Sequence, residues 1–438
     1  MLRAPADAAL VRPAQRASGH VLVPGDKSIS HRYALFGAIA DGPTRITGYS
    51  GGADCTATLG CLRALGVTID TPAPGRVDIT GRGLGGLLPA AGPVDAANSG
   101  TTMRLLAGLV SAHGFRTVIT GDASLTRRPM RRIIEPLTRM GAAIASDDGR
   151  PPLTVDGAAL QAITFEPAVP SAQVKSGVLL AGLHASGRTV VVEPAATRDH
   201  TERALTAFGV RVEQDGRQVA VAGGQRLRGR QLAVPGDISG AAFWGALAAG
   251  RPGSVVEIRG VGLNPSRTAV LDVLRRAGAD VQVDLEHEDA GEPIGRVTVR
   301  AADRRSFVVM PEEVPGLIDE LPALGALGAL LDEGQSMEVR GAAELRVKES
   351  DRISALAAGF RAMGAAVTEF PDGFRIEARP LTGATVDAAG DHRLAMAFAI
   401  AACGATSPTT ITGAAAVDVS YPRFFQELER LTTPGDNR

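Results

Sequence analysis

Two kinds of helix alternate along the chain. One is apolar almost all the way round and rich in Ala, Gly and Leu; the other keeps its apolar residues on one stripe and carries charge elsewhere. Between them falls a short strand of the form Thr-x-Ile/Val-x-Gly, and the second helix stops at a Gly-Val or Gly-Ala step into another strand. The series predicts six copies of one unit. The first runs from Gly25 through Arg45-Ile-Thr-Gly48 to a helix over Asp54–Leu65, and the second from Asn98 through Thr117–Gly121 to Arg131–Met140. The third opens at Ser171, passes Thr189–Glu193 and ends with Thr201–Phe208. Copies four to six start at Gly236, Val314 and Asp391, with second helices over Thr268–Ala277, Ser350–Met363 and Pro422–Leu431. The closing glycines 66, 141, 209, 278 and 364 lie 75, 68, 69 and 86 residues apart, near one sixth of the 438-residue chain. That period describes a duplicated supersecondary unit rather than a solenoid repeat.

The all-apolar helices read as buried and the amphipathic ones as nearer solvent. The starts of the buried helices are unusually polar: Lys27-Ser28, Asn98-Ser99-Gly100, Ser171-Gln173, Gly236-Asp237, Asp319 and Asp391-His392-Arg393. Helix N-termini favour anions, so these starts are expected to face a common cleft between two halves of three copies each. Val23-Pro-Gly-Asp26 recurs as Val234-Pro-Gly-Asp237, marking where the chain passes between the halves and where a hinge would lie. In the first of these, Gly25 turns the backbone and Ser28 or Ser30 is expected to cap the helix beside Lys27 and Arg32.

A length of 438 residues predicts two domains, and 45% hydrophobic residues suffice for two cores. The net charge of −1, with no run of like charge, argues against a nucleic-acid or membrane-surface partner, so anion binding must be local. Cys55, Cys61 and Cys403 form no CxxC pair or disulfide framework, which fits a reducing cytoplasm, and the first two read as buried packing. The start has no apolar signal region, and apolar runs such as Leu394–Ala402 fall short of a membrane span. The seven histidines make no HxxxH or HxH cluster, so neither a metal nor another cofactor is expected.

Seven motifs in order resemble the enolpyruvylshikimate-phosphate synthase family over nearly the whole chain. They are Gly25-Asp-Lys-Ser-Ile-Ser-His-Arg32, Asn98-Ser-Gly-Thr-Thr-Met-Arg104, Arg127-Arg-Pro129, Ser171-Ala-Gln173, Asp319, Leu345-Arg-Val-Lys-Glu-Ser-Asp-Arg352 and Gly390-Asp-His-Arg393. The resemblance implies an α/β, two-domain inside-out fold, each domain having three pseudo-symmetric βαβαββ units with buried helices and outer sheets. Residues 25–235 would form the first, continuous domain, and 236–438 the second, joined by the N-terminal arm 1–24. The implied reaction, a step of aromatic amino-acid biosynthesis, transfers the carboxyvinyl group of phosphoenolpyruvate to the ring hydroxyl of shikimate 3-phosphate. Phosphate leaves after a tetrahedral intermediate. Together the substrates bring roughly six negative charges, which Lys and Arg must balance.

Carried over by position, Lys27 contacts both substrates and takes part in catalysis, while Ser28, Arg32, Ser171, Ala172, Gln173, Thr197, Arg198, Asp319 and Lys348 take shikimate 3-phosphate. Asn98, Gly100, Arg128, Gln173, Arg352 and Arg393 take phosphoenolpyruvate; planar guanidinium forks suit phosphate and carboxylate. At Gly100 the family brings backbone close to phosphoenolpyruvate, implying competitive sensitivity to glyphosate. Asp319 matches the proton acceptor and Glu349 the donor, with His392 orienting the site. Plainer accounts exist: Arg104 and Arg128 as helix-surface charges, Asp319 as a solvated acid, and Glu349 as part of an exposed helix start capped by Ser350. Five positions depart from the common pattern. Glu344 stands for Asn, Ala172 for Ser, Thr197-Arg198 for Ser-Lys, and Val419 for a Lys on the phosphoenolpyruvate side. The rival readings are the related UDP-N-acetylglucosamine enolpyruvyl transferase, whose reactive Cys is missing from Gly121–Pro129, and a non-catalytic anion-binding protein on the same scaffold. A monomer is expected.

Overall fold

The computed structural model describes residues 7–433. It divides into two compact units. The first consists of Gly25–Pro235 with Glu288–Glu292; the second of the N-terminal arm ending at Pro24, Gly236–His287 and the chain from Pro293 onward. Each has its own hydrophobic core.

In the first unit three helices, Lys27–Ala38, Gly100–Val110 and Ala172–Gly182, are buried over most of their circumference. Their small residues permit close packing: a Cβ on Gly108 would lie 2.2 Å from the carbonyl oxygen of Gly177, so the two helices meet backbone to backbone. Around them stand three four-stranded sheets. In one, Val94–Asp95 runs parallel to Arg116–Thr120, which pairs antiparallel with Arg150–Asp156 and through it with Ala143–Asp147. Alternate residues of Arg150–Asp156 are buried, which puts one sheet face on the core and one outside. The unit closes on itself, since Gln231–Ala233, the last strand of its continuous segment, lies parallel to Arg45–Thr47 near its beginning.

The second unit repeats this plan with the helices Ile238–Gly250, Leu321–Ala329 and His392–Ala402 inside. The N-terminal arm completes its sheets: Ser18–Leu22 pairs parallel with Val255–Arg259, and Ala8–Val11 antiparallel with Thr409–Thr412. Trp244 stacks on Phe424 with centroids 4.8 Å apart and donates its Nε1–H to the Tyr421 hydroxyl at 3.1 Å. The α/β inside-out fold implied by the sequence is therefore present, with helices in and sheets out.

The amphipathic second helices span Ala53–Ala64, Arg131–Met140, His200–Ala207, Ala269–Arg276, Arg352–Ala362 and Phe424–Thr432. Glycines 66, 141, 209, 278 and 364, which follow the first five, all have φ between +84° and +116°, a left-handed turn that a side chain would strain. Two expected caps are corrected. Asp26, not Ser28 or Ser30, caps the first helix, its Oδ1 accepting the Ile29 amide at 2.9 Å, while the Ser30 hydroxyl accepts the Ser50 amide at 3.0 Å. Asp351, not Ser350, caps Arg352–Ala362 by accepting the Ser354 amide at 3.1 Å. In both, the acid just outside the helix is aimed at the amide three positions on, whereas Ser28 and Ser30 already lie inside the first helix and Ser350 stands one residue before the second cap. Copy five is broken: a single turn, Val314–Leu317, precedes Leu321–Ala329 and leaves Asp319 and Glu320 between them. Cys55, Cys61 and Cys403 are buried free thiols, and among the described residues no helix is long and apolar enough to cross a membrane.

Candidate active site

In the first unit the predicted residues gather at the starts of its three buried helices. Lys27 opens the first helix, and its ammonium lies 2.9 Å from Oδ2 of buried Asp54. One turn on, the Arg32 guanidinium is 2% exposed and held on three sides. Its Nε donates to Thr201 Oγ1 at 2.7 Å, Nη1 to the Ser28 carbonyl at 2.8 Å and Nη2 to Ser176 Oγ at 2.7 Å. Burial lowers its pKa to about 10, against the opposing charges of Glu202 and Asp26, so it remains a cation at neutral pH.

The second helix begins after Asp95-Ala96-Ala97, where Ala97 has a φ of +50° and its amide donates to Asp95 Oδ1 at 2.8 Å. This strained turn delivers Asn98, Ser99 and Gly100. Asn98 Oδ1 accepts from Arg128 Nη2 at 2.6 Å, and its amide nitrogen donates to Asp122 at 2.7 Å. Gly100 is buried beneath two guanidinium groups: a Cβ there would lie 2.8 Å from Arg104 Nη1 and 3.3 Å from Arg128 Nη1. Ser171 caps the third helix by accepting the Val174 amide at 3.3 Å, and Ala172 is its first residue. Gln173 is pinned from both ends, its Oε1 accepting from Arg104 Nη1 at 2.6 Å and its Nε2 donating to Thr101 Oγ1 at 2.8 Å. Thr197 donates its hydroxyl to Glu193, and Arg198 follows it in the loop before the His200–Ala207 helix.

In the second unit the cluster is built on Asp391. This fully buried carboxylate accepts the Arg393 amide at 2.9 Å, Ser350 Oγ at 3.2 Å, and Arg352 through Nε at 2.7 Å and Nη2 at 3.3 Å. Arg352 Nη2 also donates to Glu349 at 2.6 Å. Burial pulls the Arg352 pKa down, but the charges of Asp391, Glu349 and Asp319 and the Asp391 hydrogen bond outweigh it and raise it above the usual arginine value. Arg393 Nη1 donates to the Asp319 carbonyl at 2.7 Å, and the Asp319 carboxylate stands 3.7 Å from Arg352 and 3.8 Å from Arg393. Lys348 lies 3.3 Å from Glu344. Arg352 Nη1 is buried and makes no hydrogen bond among the described residues, which is costly for a cationic N–H unless a partner arrives from elsewhere.

A family model described as EPSP synthase (3-phosphoshikimate 1-carboxyvinyltransferase) matches residues 11–428. The chain belongs to the EPSP synthase family. A 3-phosphoshikimate 1-carboxyvinyltransferase of Alkalilimnicola ehrlichii is 51% identical over 419 residues, covering 95% of this chain and 94% of that one. One from Halorhodospira halophila is 50% identical over 424 residues, covering 96% and 95%. The solved EPSP synthase of Acinetobacter baumannii superposes with a TM-score of 0.86 at 44% identity, covering 97% of this chain and 98% of that one. The enolpyruvyl transferase NikO of Streptomyces tendae shares the fold, with a TM-score of 0.76 at 20% identity over 98% of each chain.

Within this synthase family fold, Arg104 and Arg128 are not helix-surface charges: Arg104 positions Gln173, and Arg128 is 7% exposed and tied to Asn98. Nor is Glu349 an exposed helix start, since its side chain is 14% exposed and bonded to Arg352. Several supporting roles escaped sequence reasoning: Asp54 behind Lys27, Thr201 and Ser176 behind Arg32, and Asp391, read there only as a polar helix start, behind Arg352. One signal was available for the last. Val94-Asp-Ala-Ala97 recurs as Val386-Asp-Ala-Ala389, and Ala389 has a φ of +52° with its amide on Asp387 Oδ1 at 2.8 Å, repeating the turn before Asn98.

Proposed function

We propose that two sets of side chains divide one reaction. Lys27, Ser28, Arg32, Ser171, Ala172, Gln173, Thr197, Arg198, Asp319 and Lys348 take shikimate 3-phosphate; Lys27, Asn98, Gly100, Arg128, Gln173, Arg352 and Arg393 take phosphoenolpyruvate. The reaction itself is that of the family: the carboxyvinyl group of phosphoenolpyruvate passes to shikimate 3-phosphate and phosphate is released, in the shikimate pathway of aromatic amino-acid biosynthesis.

Addition joins the ring hydroxyl oxygen to the phosphate-bearing carbon of phosphoenolpyruvate, while a proton is added to its methylene carbon. Elimination breaks the bond to the phosphate oxygen and removes a proton from the new methyl group, restoring the double bond. In this reading Asp319 takes the hydroxyl proton, Glu349 supplies and recovers the proton on carbon, and Lys27 stabilises charge on both substrates. The observation that carries it is the pair of arginines beside Asp319. Arg352 and Arg393 hold a base and offer cationic N–H groups at one place, and the buried Arg352 Nη1, 3.7 Å from the Asp319 carboxylate, still has a hydrogen bond to make. Three buried, free thiols support a cytoplasmic setting, in which we place the enzyme as a monomer.

The test is phosphate release from phosphoenolpyruvate, without added metal, with shikimate 3-phosphate or UDP-N-acetylglucosamine as acceptor. Release is expected with shikimate 3-phosphate alone; release with the second acceptor alone, or with neither, overturns the reading. Asp319→Ala should lower kcat by about 10²–10⁴-fold while shikimate 3-phosphate still binds. Unchanged turnover would remove Asp319 from proton transfer. Light scattering at working concentrations should return the mass of one chain.

A further inference from the structure

The buried cations of the first unit include one that the proposed reaction does not use. Lys175 lies on the Ala172–Gly182 helix, directly beyond Ser171, Ala172 and Gln173, with 1% of its side chain exposed. Its ammonium is 3.0 Å from Glu193 Oε2 and 2.6 Å from Glu202 Oε1. Glu193 follows the strand Arg188–Val192, and Glu202 stands in the first turn of the His200–Ala207 helix. A single ammonium thus ties together the two ends of the segment 193–199, which carries Thr197 and Arg198. The second oxygen of Glu193 accepts the Thr197 hydroxyl, so the chain of contacts continues into the loop itself. On the same helix Ser176 Oγ is 2.6 Å from Thr201 Oγ1, and both hydroxyls accept from Arg32.

We propose that Lys175 is a positioning residue for shikimate 3-phosphate, acting through Glu193 to fix where Thr197 and Arg198 present themselves to the acceptor's phosphate. The inference rests on the reading above that those two residues bind the acceptor. Its physical basis is the mutual repulsion of two buried carboxylates. With the ammonium between them they hold the loop ends in one place; without it they are like charges in a poorly screened interior and the ends separate. Thr197 then loses the acceptor that orients its hydroxyl. Lys175 touches neither reacting carbon nor the migrating protons, so its loss acts on acceptor binding and leaves the chemical step to Asp319, Glu349 and Lys27.

Calorimetric Kd values for shikimate 3-phosphate and steady-state kinetics on Lys175→Met, Thr197→Val, Arg198→Met and the Lys175→Met/Thr197→Val pair test this. Lys175→Met should weaken shikimate 3-phosphate binding about 10-fold or more, with kcat and the phosphoenolpyruvate KM at saturating acceptor within about 3-fold. Combined with Thr197→Val, its effect should be clearly less than additive, because both changes remove one chain of contacts. A merely structural lysine would lower the Tm and the fraction of active enzyme while leaving acceptor Kd per folded molecule unchanged. Should Lys175→Met fail to fold, Lys175→Gln decides the matter: it keeps a polar side chain at the position, removes the charge between the two carboxylates, and should weaken acceptor binding in the same selective way. If Thr197→Val or Arg198→Met weakens binding but neither Lys175→Met nor Lys175→Gln does, the inference is overturned and the site reading stands. If neither Thr197→Val nor Arg198→Met affects binding, the site reading falls and the inference falls with it.

Discussion

Four of the side chains that would meet substrate are each held by a neighbour in the same unit. Lys27 has Asp54, Gln173 has Arg104, Arg128 has Asn98, and Arg352 has Asp391. Such bracing lowers the entropy lost when an anion binds, because long Lys and Arg side chains are already in place. Gly100 shows how tight the arrangement is. An added methyl would lie 2.8 Å from Arg104 Nη1 and 3.3 Å from Arg128 Nη1, so both guanidinium groups would have to move. Arg104 would then release or drag Gln173, and Arg128 would pull on Asn98. Gly100→Ala is therefore expected to raise the KM for phosphoenolpyruvate by about 10-fold, equivalent to about 1.4 kcal/mol, and to weaken competitive inhibition by glyphosate in the same direction. Shikimate 3-phosphate affinity should change less, through Gln173 alone, since Arg32 and Ser171 are held elsewhere. Inhibition curves at several phosphoenolpyruvate concentrations check this; unchanged values would place the anion away from Gly100.

Among the elements, the buried helices matter most at their first turns, where unpaired amides, a capping acid and a basic residue coincide. Asp26 satisfies the Ile29 amide at the start of the Lys27–Ala38 helix and is itself 3% exposed. Asp26→Ala should cost about 1–2 kcal/mol of stability, read as a lower urea midpoint with an unchanged slope, and should raise KM for both substrates through Lys27. A loss of stability without any change in KM would show that the cap and Lys27 act independently. The identity of this cap was not legible in the sequence, because Asp26, Ser28 and Ser30 are all plausible from composition and the helix boundary decides among them. The six-copy organisation was legible, because a buried helix must be apolar all round and a closing left-handed turn selects Gly at 66, 141, 209, 278 and 364. The predicted site residues on the helix starts were legible from residue type and order. Their braces were not: His31, Thr58 and Thr102 form a buried chain of contacts at 2.7 Å per link, yet lie 27 and 44 residues apart in sequence. Nothing local in the chain announces such a partnership. The break before Leu321 left a trace, because Asp319, Glu320 and Pro322 interrupt the apolar residues and Asp319 is among the helix starts read from the sequence, whereas the separate turn Val314–Leu317 is not marked there.

At the scale of the whole molecule, stability depends on groups that are buried in one protonation state. Burial lowers the pKa of His31 well below the ordinary histidine value, with the Lys27 and Arg32 charges adding to the effect. Burial, together with the charge of His113, brings His184 to about 3, and the two rings lie 5.3 Å apart between centroids. His113 is lowered as well, by burial against the opposing hydrogen bond to Leu109. In the unfolded chain these imidazoles titrate near 6.5, so between that pH and the folded values the unfolded state binds more protons. Stability from these groups is then fully present above about pH 7, falls as pH drops through 6.5, and is exhausted near the folded pKa of about 3 for His184. At pH 5 the depressed His184 should have cost about 2 kcal/mol relative to neutral pH. Buried Glu202 opposes the trend, since its raised pKa lets the folded state take up a proton more readily. On the alkaline side the burial of Cys61 and Cys403 lifts both thiols to about 12, so the unfolded chain loses protons first and stability falls above about pH 8.5. Urea unfolding from pH 5 to 9 should therefore trace a dome, and His184→Gln should flatten its acid limb by about 2 kcal/mol between pH 7.5 and 5 whatever it does to stability at neutral pH. An acid limb equally steep in the variant would mean that His184 takes up its proton in the folded protein as readily as in the unfolded chain.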